Sequence, residues 1–285
     1  MKALVANIED VLREAAARWT LVAYFFLSSI FIIIFASAVN LDIVDGALAG
    51  AKLFGRDVQM HRSSGMDIEK LVIGFESAFS GFLYVLCTFL AIFATAHLVP
   101  RLQEKGTIDL YLSRPVGRVK LLLSRYLAGL LLAGTNVFYL ITSIWLIVLW
   151  KTHVFHPRFF LAGGIIMFVI ATLLAFAFLV GVITSSTAVS IMTTYGIFVF
   201  SAMLVAHDRF AAAMSKEWQA WMINGLYWVL PKSSELGTAV VAFVSAGEGP
   251  KRLSDALTVA PFASTAAFTV ACLVLASWLF HRKEF

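Results

Sequence analysis

Six stretches of this chain hold no Asp, Glu, Lys or Arg: approximately Thr20–Val39, Ser77–Val99, Tyr126–Trp150, Phe159–Ile183, Ser185–Ala206 and Val259–Phe280. Each is long enough to cross about 30 Å of hydrocarbon as a helix. Inside a bilayer every backbone polar group must find its partner within the protein, and an uninterrupted apolar run does so as a helix. The chain as a whole is 60% hydrophobic and 14% charged, with a mean hydropathy of +0.88, which excludes an ordinary soluble domain. The expectation is an all-α membrane protein: a single polytopic transmembrane domain over residues 1–285, with six spans in contact with the lipid bilayer. The net charge of +5 is modest. In such a chain it points to topology and anionic headgroups, not to nucleic acid. Cys87 and Cys272 both fall inside apolar runs and are expected to be packing residues, not a disulfide framework.

The segments outside the runs have characters of their own. The first run ends in Ala36-Ser37-Ala38, a triplet of the kind cleaved from secretory leaders. Glu9, Asp10 and Glu14 precede it, however, and the run is long enough to span, so it is taken as a retained helix. In residues 1–18, Leu4, Ile8, Val11, Leu12 and Ala15 recur at helical spacing opposite Glu9, Asp10, Arg13 and Glu14. That pattern suits an interfacial elbow helix, with a plain extension of the first span as the alternative. Thr184-Ser185-Ser186-Thr187 is expected to form a tight hairpin. The loop 40–76 is polar and mixed in charge, with Met66–Val72 expected as a short surface helix. In the outer loop 207–258, Trp218–Leu230 and Glu235–Ser245 are too short to span, rich in apolar residues and separated by Pro231. Either they are re-entrant helices, whose irregular backbone must be buried in protein or line a wet cavity, or they form a surface loop anchored by interfacial tryptophans.

Between the second and third runs lies a different kind of sequence, Arg101–Arg125. It carries six basic residues (Arg101, Lys105, Arg114, Arg118, Lys120, Arg125) against two acids (Glu104, Asp109). An Arg or Lys at the bilayer centre costs about 2.5–3.5 kcal/mol on insertion scales, so this segment belongs in water or headgroups, and its positive charge puts it in the cytoplasm. With both termini on that side, the inner side holds Lys2, Arg13, Arg18, these six, Arg282 and Lys283, eleven of the 22 Lys and Arg, in about half the length that carries the other eleven. The segment has its own punctuation. Gly106 releases the chain, Thr107 can cap a short helix, and Asp109 stands near its positive end. Ile108, Tyr111 and Leu112 share one stripe. Pro115 drives Arg114 out of helical geometry, and Gly117 can cap the helix that begins at Arg118 and runs into the third span. The expected product is a short cytoplasmic helix within 100–125, held across two span ends and offering an apolar stripe to a groove on a soluble partner.

From Glu104 to Arg118 the sequence reads E-x-G-T-x-x-L-x-L-S-R-P-V-x-R, and here the chain resembles the coupling-helix region of bacterial ATP-binding-cassette (ABC) permeases of the type-2 exporter class. The layout is similar too: an N-terminal elbow, six spans, the charged segment between the second and third, an apolar outer loop before the last, and a basic end at His281-Arg282-Lys283. Gly117 stands where family members often carry Ser, a difference of a few tenths of a kcal/mol at an N-cap. The resemblance implies a permease in the bacterial cytoplasmic membrane, paired with a second copy or a related permease. It also implies two copies of a separate ABC ATP-binding subunit, which would bind ATP and Mg. Glu104, Thr107, Asp109, Tyr111, Arg114, Pro115 and Arg118 would be the contact residues for that subunit.

No catalytic, cofactor or metal site is expected in the chain itself. Gly50–Asp57 has the G-x-x-x-x-G spacing of a phosphate loop but Arg56-Asp57 where Lys and Ser/Thr are required. His153 and His156 lack carboxylate or thiol support for a metal. His97, near the inner end of the second span, is expected to pack, and Asn136 to hydrogen-bond another helix. Ala171/Ala175 and Ala177/Gly181 permit close helix contact. The alternative function is an ion- or proton-coupled secondary transporter working without an ATPase. The charge-free spans and the lack of an internal repeat argue against it, and an intramembrane enzyme lacks the residues it would need.

Overall fold

The computed structural model describes residues 19–44, 47–53, 56–57, 68–103, 117–205, 217–245 and 258–283. Residues 1–18, where an elbow helix is expected, and the segment 104–116 lie outside them.

The body is a helical bundle. Its elements are α1 (Trp19–Ala38), α2 (Ile68–Thr95), the short α3 (Leu98–Leu102), α4 (Arg118–Thr152), α5 (Pro157–Thr184), α6 (Thr187–Leu204), α7 (Glu217–Val229), α8 (Ser233–Ser245) and α9 (Val259–Arg282). Among the described residues, five helical stretches are long and apolar enough to cross a membrane: Val72–Leu102, Arg118–Thr152, Pro157–Thr184, Thr187–Leu204 and Val259–Arg282. Helix α1, with 20 residues and no charge, matches the first expected run to within a residue at each end.

Helix α5 is central and touches α2, α4, α6, α8 and α9. Its sequence explains why. Ala175, Ala177 and Gly181 are buried, and these small side chains let neighbouring helices come close. At Gly181 a methyl group would stand 3.2 Å from Pro100 Cδ and 3.4 Å from Val99 Cβ, so α3 lies directly across the end of α5. The second apolar run does not form one straight helix. It breaks at Ala96-His97, because Pro100 has no N–H to give the Ala96 carbonyl. His97 sits half-buried at that break.

Asn136 meets the expectation: it accepts a hydrogen bond from Ser28 Oγ at 2.9 Å, joining α1 to α4. The hairpin at 184–187 is equally tight. Ser185 takes the left-handed conformation (φ 53°), its N–H closes on Gly181 O at 2.9 Å, and Ser186 caps α6. Cys87 and Cys272 are buried and unbridged.

The all-α expectation holds for the bundle. Beside it, between α1 and α2, β1 (Val39–Val44), β2 (Ala47–Leu53) and β3 (Arg56–Asp57) form a small three-stranded antiparallel sheet in the order β1-β2-β3. Val39-Asn40-Leu41-Asp42-Ile43 alternates apolar and polar with period two, the pattern of a half-covered strand. One expectation fails: Met66–Val72 is not a separate surface helix. Ile68–Val72 is the first turn of α2, and Val72 is buried.

The pair α7 and α8 reproduces the two short outer segments, broken at Pro231. They differ in depth. Leu236, Val240 and Val244 of α8 are fully buried against α2, α5 and α6, whereas α7 leaves Trp218, Trp221 and Trp228 exposed.

Candidate functional site

One end of the bundle gathers the stems of the 104–116 segment. On the near side, α3 is fixed by burial of Leu98, Val99, Pro100 and Leu102 and by Arg125 Nη1, which donates to Leu98 O at 3.3 Å. The Arg125 side chain is itself buried, at 2% exposure. Gln103 follows. Its Nε2 donates to Gly181 O at 2.8 Å, and its Oε1 accepts from Ser185 Oγ at 2.8 Å and from Lys283 Nζ at 2.6 Å.

On the far side, Gly117 caps α4 as expected, in extended geometry (φ −63°, ψ 140°). Arg118 opens the helix, and its Nη1 donates to Lys283 O at 2.8 Å and His281 O at 3.2 Å.

Lys283 is therefore common to both stems. Its ammonium also donates to Val182 O at 2.9 Å and Ser185 Oγ at 2.8 Å. The electrostatics are those of helix C-termini, whose last carbonyls lack intrahelical partners and carry partial negative charge. Lys283 caps the end of α5, and Arg118 caps the end of α9. Partial burial holds the Lys283 pKa below the usual lysine value.

Of the residues expected to contact a partner, Glu104, Thr107, Asp109, Tyr111, Arg114 and Pro115 lie outside the described residues. Arg118 is described, half-buried and turned onto α9. Gln103 and Ser185 carried no sequence signal for this role, and Lys283 counted only toward the charge bias and the basic end of the chain.

The opposite end corrects the expectation of charge-free spans. Glu76, one residue before the second run as drawn from sequence, is inside α2 at 1% exposure. Its Oε2 meets His156 Nδ1 at 2.5 Å, and His156 is 8% exposed. The helix continues past the hydropathy boundary, and a charge can follow it inward because a partner waits there. Lys232, 6% exposed, lies in the turn between α7 and α8 with its ammonium 4.1 Å from the Tyr227 ring centroid and 4.5 Å from that of Trp228. Lys151 Nζ reaches Ala36 O at 2.7 Å, tying α4 to the end of α1. An apolar groove of about 660 Å³ opens between α2, α6 and α8, lined in part by Gly81, Val85, Phe198 and Val241.

Among the described residues no group of three or more His, Cys, Asp or Glu could hold a metal ion. Gly50 lies in β2 and Arg56-Asp57 form β3, so strand stands at the positions where a phosphate loop would begin its helix. In comparisons with known proteins, a family model described as ABC-2 family transporter protein matches residues 9–285. No curated protein matches the chain.

Proposed function

Because the chain belongs to the ABC-2 family of transporter proteins, we propose that it is the membrane-spanning permease subunit of an ATP-driven ABC exporter in the bacterial cytoplasmic membrane. Helix α1 and the five long helical stretches are its six spans, and both termini face the cytoplasm. The permease acts as a pair, with a second copy or a related chain. Each copy engages one ATP-binding subunit, which holds ATP and Mg, through 104–116. Glu104, Thr107, Asp109, Tyr111, Arg114 and Pro115 make that contact, and Arg118 sets the angle at which the segment leaves α4. Closure of the ATP-binding subunits pushes on the segment and tilts the spans.

The observation that carries this reading is the seating of both stems, Gln103 and Arg118, on the same end of α9. A loop that served topology alone would need no such seat. Elements built to pass force must be stiff where they meet the bundle, and hydrogen bonds from two helix ends to both stems supply that stiffness.

Co-purification in mild detergent tests it. The wild-type chain is expected to bring down an ABC ATP-binding subunit in stoichiometric amount, and Glu104→Ala and Asp109→Ala to lose it or to uncouple its hydrolysis. These two positions are preferred to Arg118, whose removal would also cut the bonds to α9. A wild-type chain that purifies without any such subunit would falsify the proposal.

A further inference from the structure

We infer that Lys283 is a clasp: a positioning residue that joins both stems of the 104–116 segment to α9 and to the α5–α6 turn, so that these elements move as one body when the segment is displaced. The inference rests on the coupling role proposed for that segment.

Every link is a specific bond. The Lys283 ammonium holds Gln103 of the first stem, and through Val182 O and Ser185 Oγ it holds the α5–α6 turn. The Lys283 carbonyl, with that of His281, holds Arg118 of the second stem. One residue thus closes a ring through α3, α4, α5 and α9.

The ring decides where a push goes. Hydrogen bonds to charged groups are stronger than neutral ones, and carbonyls at helix ends face along the helix axis, so a force on either stem is delivered lengthwise into α5 and α9. Gln103 keeps its own bonds to Gly181 O and Ser185 Oγ, but the remaining contacts of α3 with α5 are apolar and non-directional, and it is Lys283 that ties this stem to α9. Without the clasp the segment can still dock, but its movement is taken up locally at the stems.

The full chain is purified with its ATP-binding subunit and placed in lipid vesicles, and ATP turnover is measured against Mg-ATP for wild type, Lys283→Met, Lys283→Arg, Gln103→Leu and the Lys283→Met/Gln103→Leu pair. Bound subunit and melting temperature are recorded for each. All are expected to keep the subunit in wild-type amount with unchanged KM for ATP. In Lys283→Met and in Gln103→Leu, kcat is expected to fall by about fivefold or more, toward the rate of the ATP-binding subunit alone. The double variant is expected to be no worse than the singles, since both break one ring. Lys283→Arg, which keeps the cation, is expected to recover most of the turnover. Wild-type kcat in the two single variants, with or without a lowered melting temperature, overturns the clasp and leaves the coupling segment standing. Additive losses, or loss of the subunit from Lys283→Met, overturn it as well, the latter by making Lys283 a docking residue. If the wild-type chain carries no ATP-binding subunit, the coupling reading itself has failed and the clasp goes with it.

Discussion

Glu76 and His156 meet inside the bundle, and the Trp145 indole N–H donates to the His156 carbonyl at 3.0 Å. Together they fasten α2 and α4 to the loop that starts α5, at the end of the molecule away from Lys283. Removing one partner of such a pair leaves the other buried and unsatisfied, which costs about 1–3 kcal/mol, more when it is charged. Glu76→Leu is therefore expected to lower the melting temperature in detergent markedly. Glu76→Gln, which can still hydrogen-bond the ring, should lose less. Equal melting temperatures for wild type and Glu76→Leu would mean that the pair contributes nothing to stability. At this scale the sequence is only partly legible. Gly117, Asn136 and Ser185-Ser186 announce their roles, because N-caps, buried amides and tight turns need particular residue types. Glu76, Gln103 and Lys283 do not, because their roles come from partners some eighty to 180 residues away in the chain.

Helix α8 lies on α2 because two glycines let it. A methyl group at Gly237 would stand only 2.7 Å from Tyr84 Cε1, and one at Gly81 would stand 3.1 Å from Val241 Cγ2. The Tyr84 hydroxyl reaches over Gly237's neighbours to donate to Ser233 O at 2.5 Å. Overpacking a fitted contact typically costs about 1–3 kcal/mol. Gly237→Leu is expected to lift α8 away from Tyr84 while the spans stay folded. The change would show as a lower melting temperature and as new reactivity of a cysteine placed at Val240, which is fully buried in the wild type. A Val240→Cys thiol equally protected in both backgrounds would contradict this account of the packing. Elements of this kind are legible in length but not in depth. Pro231 and the short apolar segments around it mark two helices, yet nothing in their composition separates α8, sunk among three helices, from α7, with its tryptophans exposed. The β1–β3 sheet was legible in its alternation at Val39–Ile43, but that signal is short and adjoins a much longer apolar helix.

For the whole molecule, the strongest sequence signal, apolar runs without charge, specifies a helical bundle and marks where its helices lie. It does not say which way the bundle faces. The proposed orientation rests on the distribution of Lys and Arg, which are denser at the end where Arg118, Lys120, Arg282 and Lys283 lie. The two ends also differ in how they treat charge. At the basic end the cations cap helix termini beside the segment that would meet a soluble partner. At the other end Glu76 and Lys232 are enclosed by His156 and by aromatic rings. A partner that supplies force from the cytoplasm can act only if the basic end is inside, so orientation and mechanism stand or fall together. Phe155, 68% exposed in the loop before α5, and Val119, 38% exposed in the first turn of α4, report the two ends. In intact cells a membrane-impermeant maleimide is expected to modify Phe155→Cys at once and Val119→Cys only after the membrane is opened; the native Cys87 and Cys272 are both buried. The reverse pattern would put 104–116 outside the cell, where no ATP-binding subunit could reach it, and neither coupling nor clasp would survive.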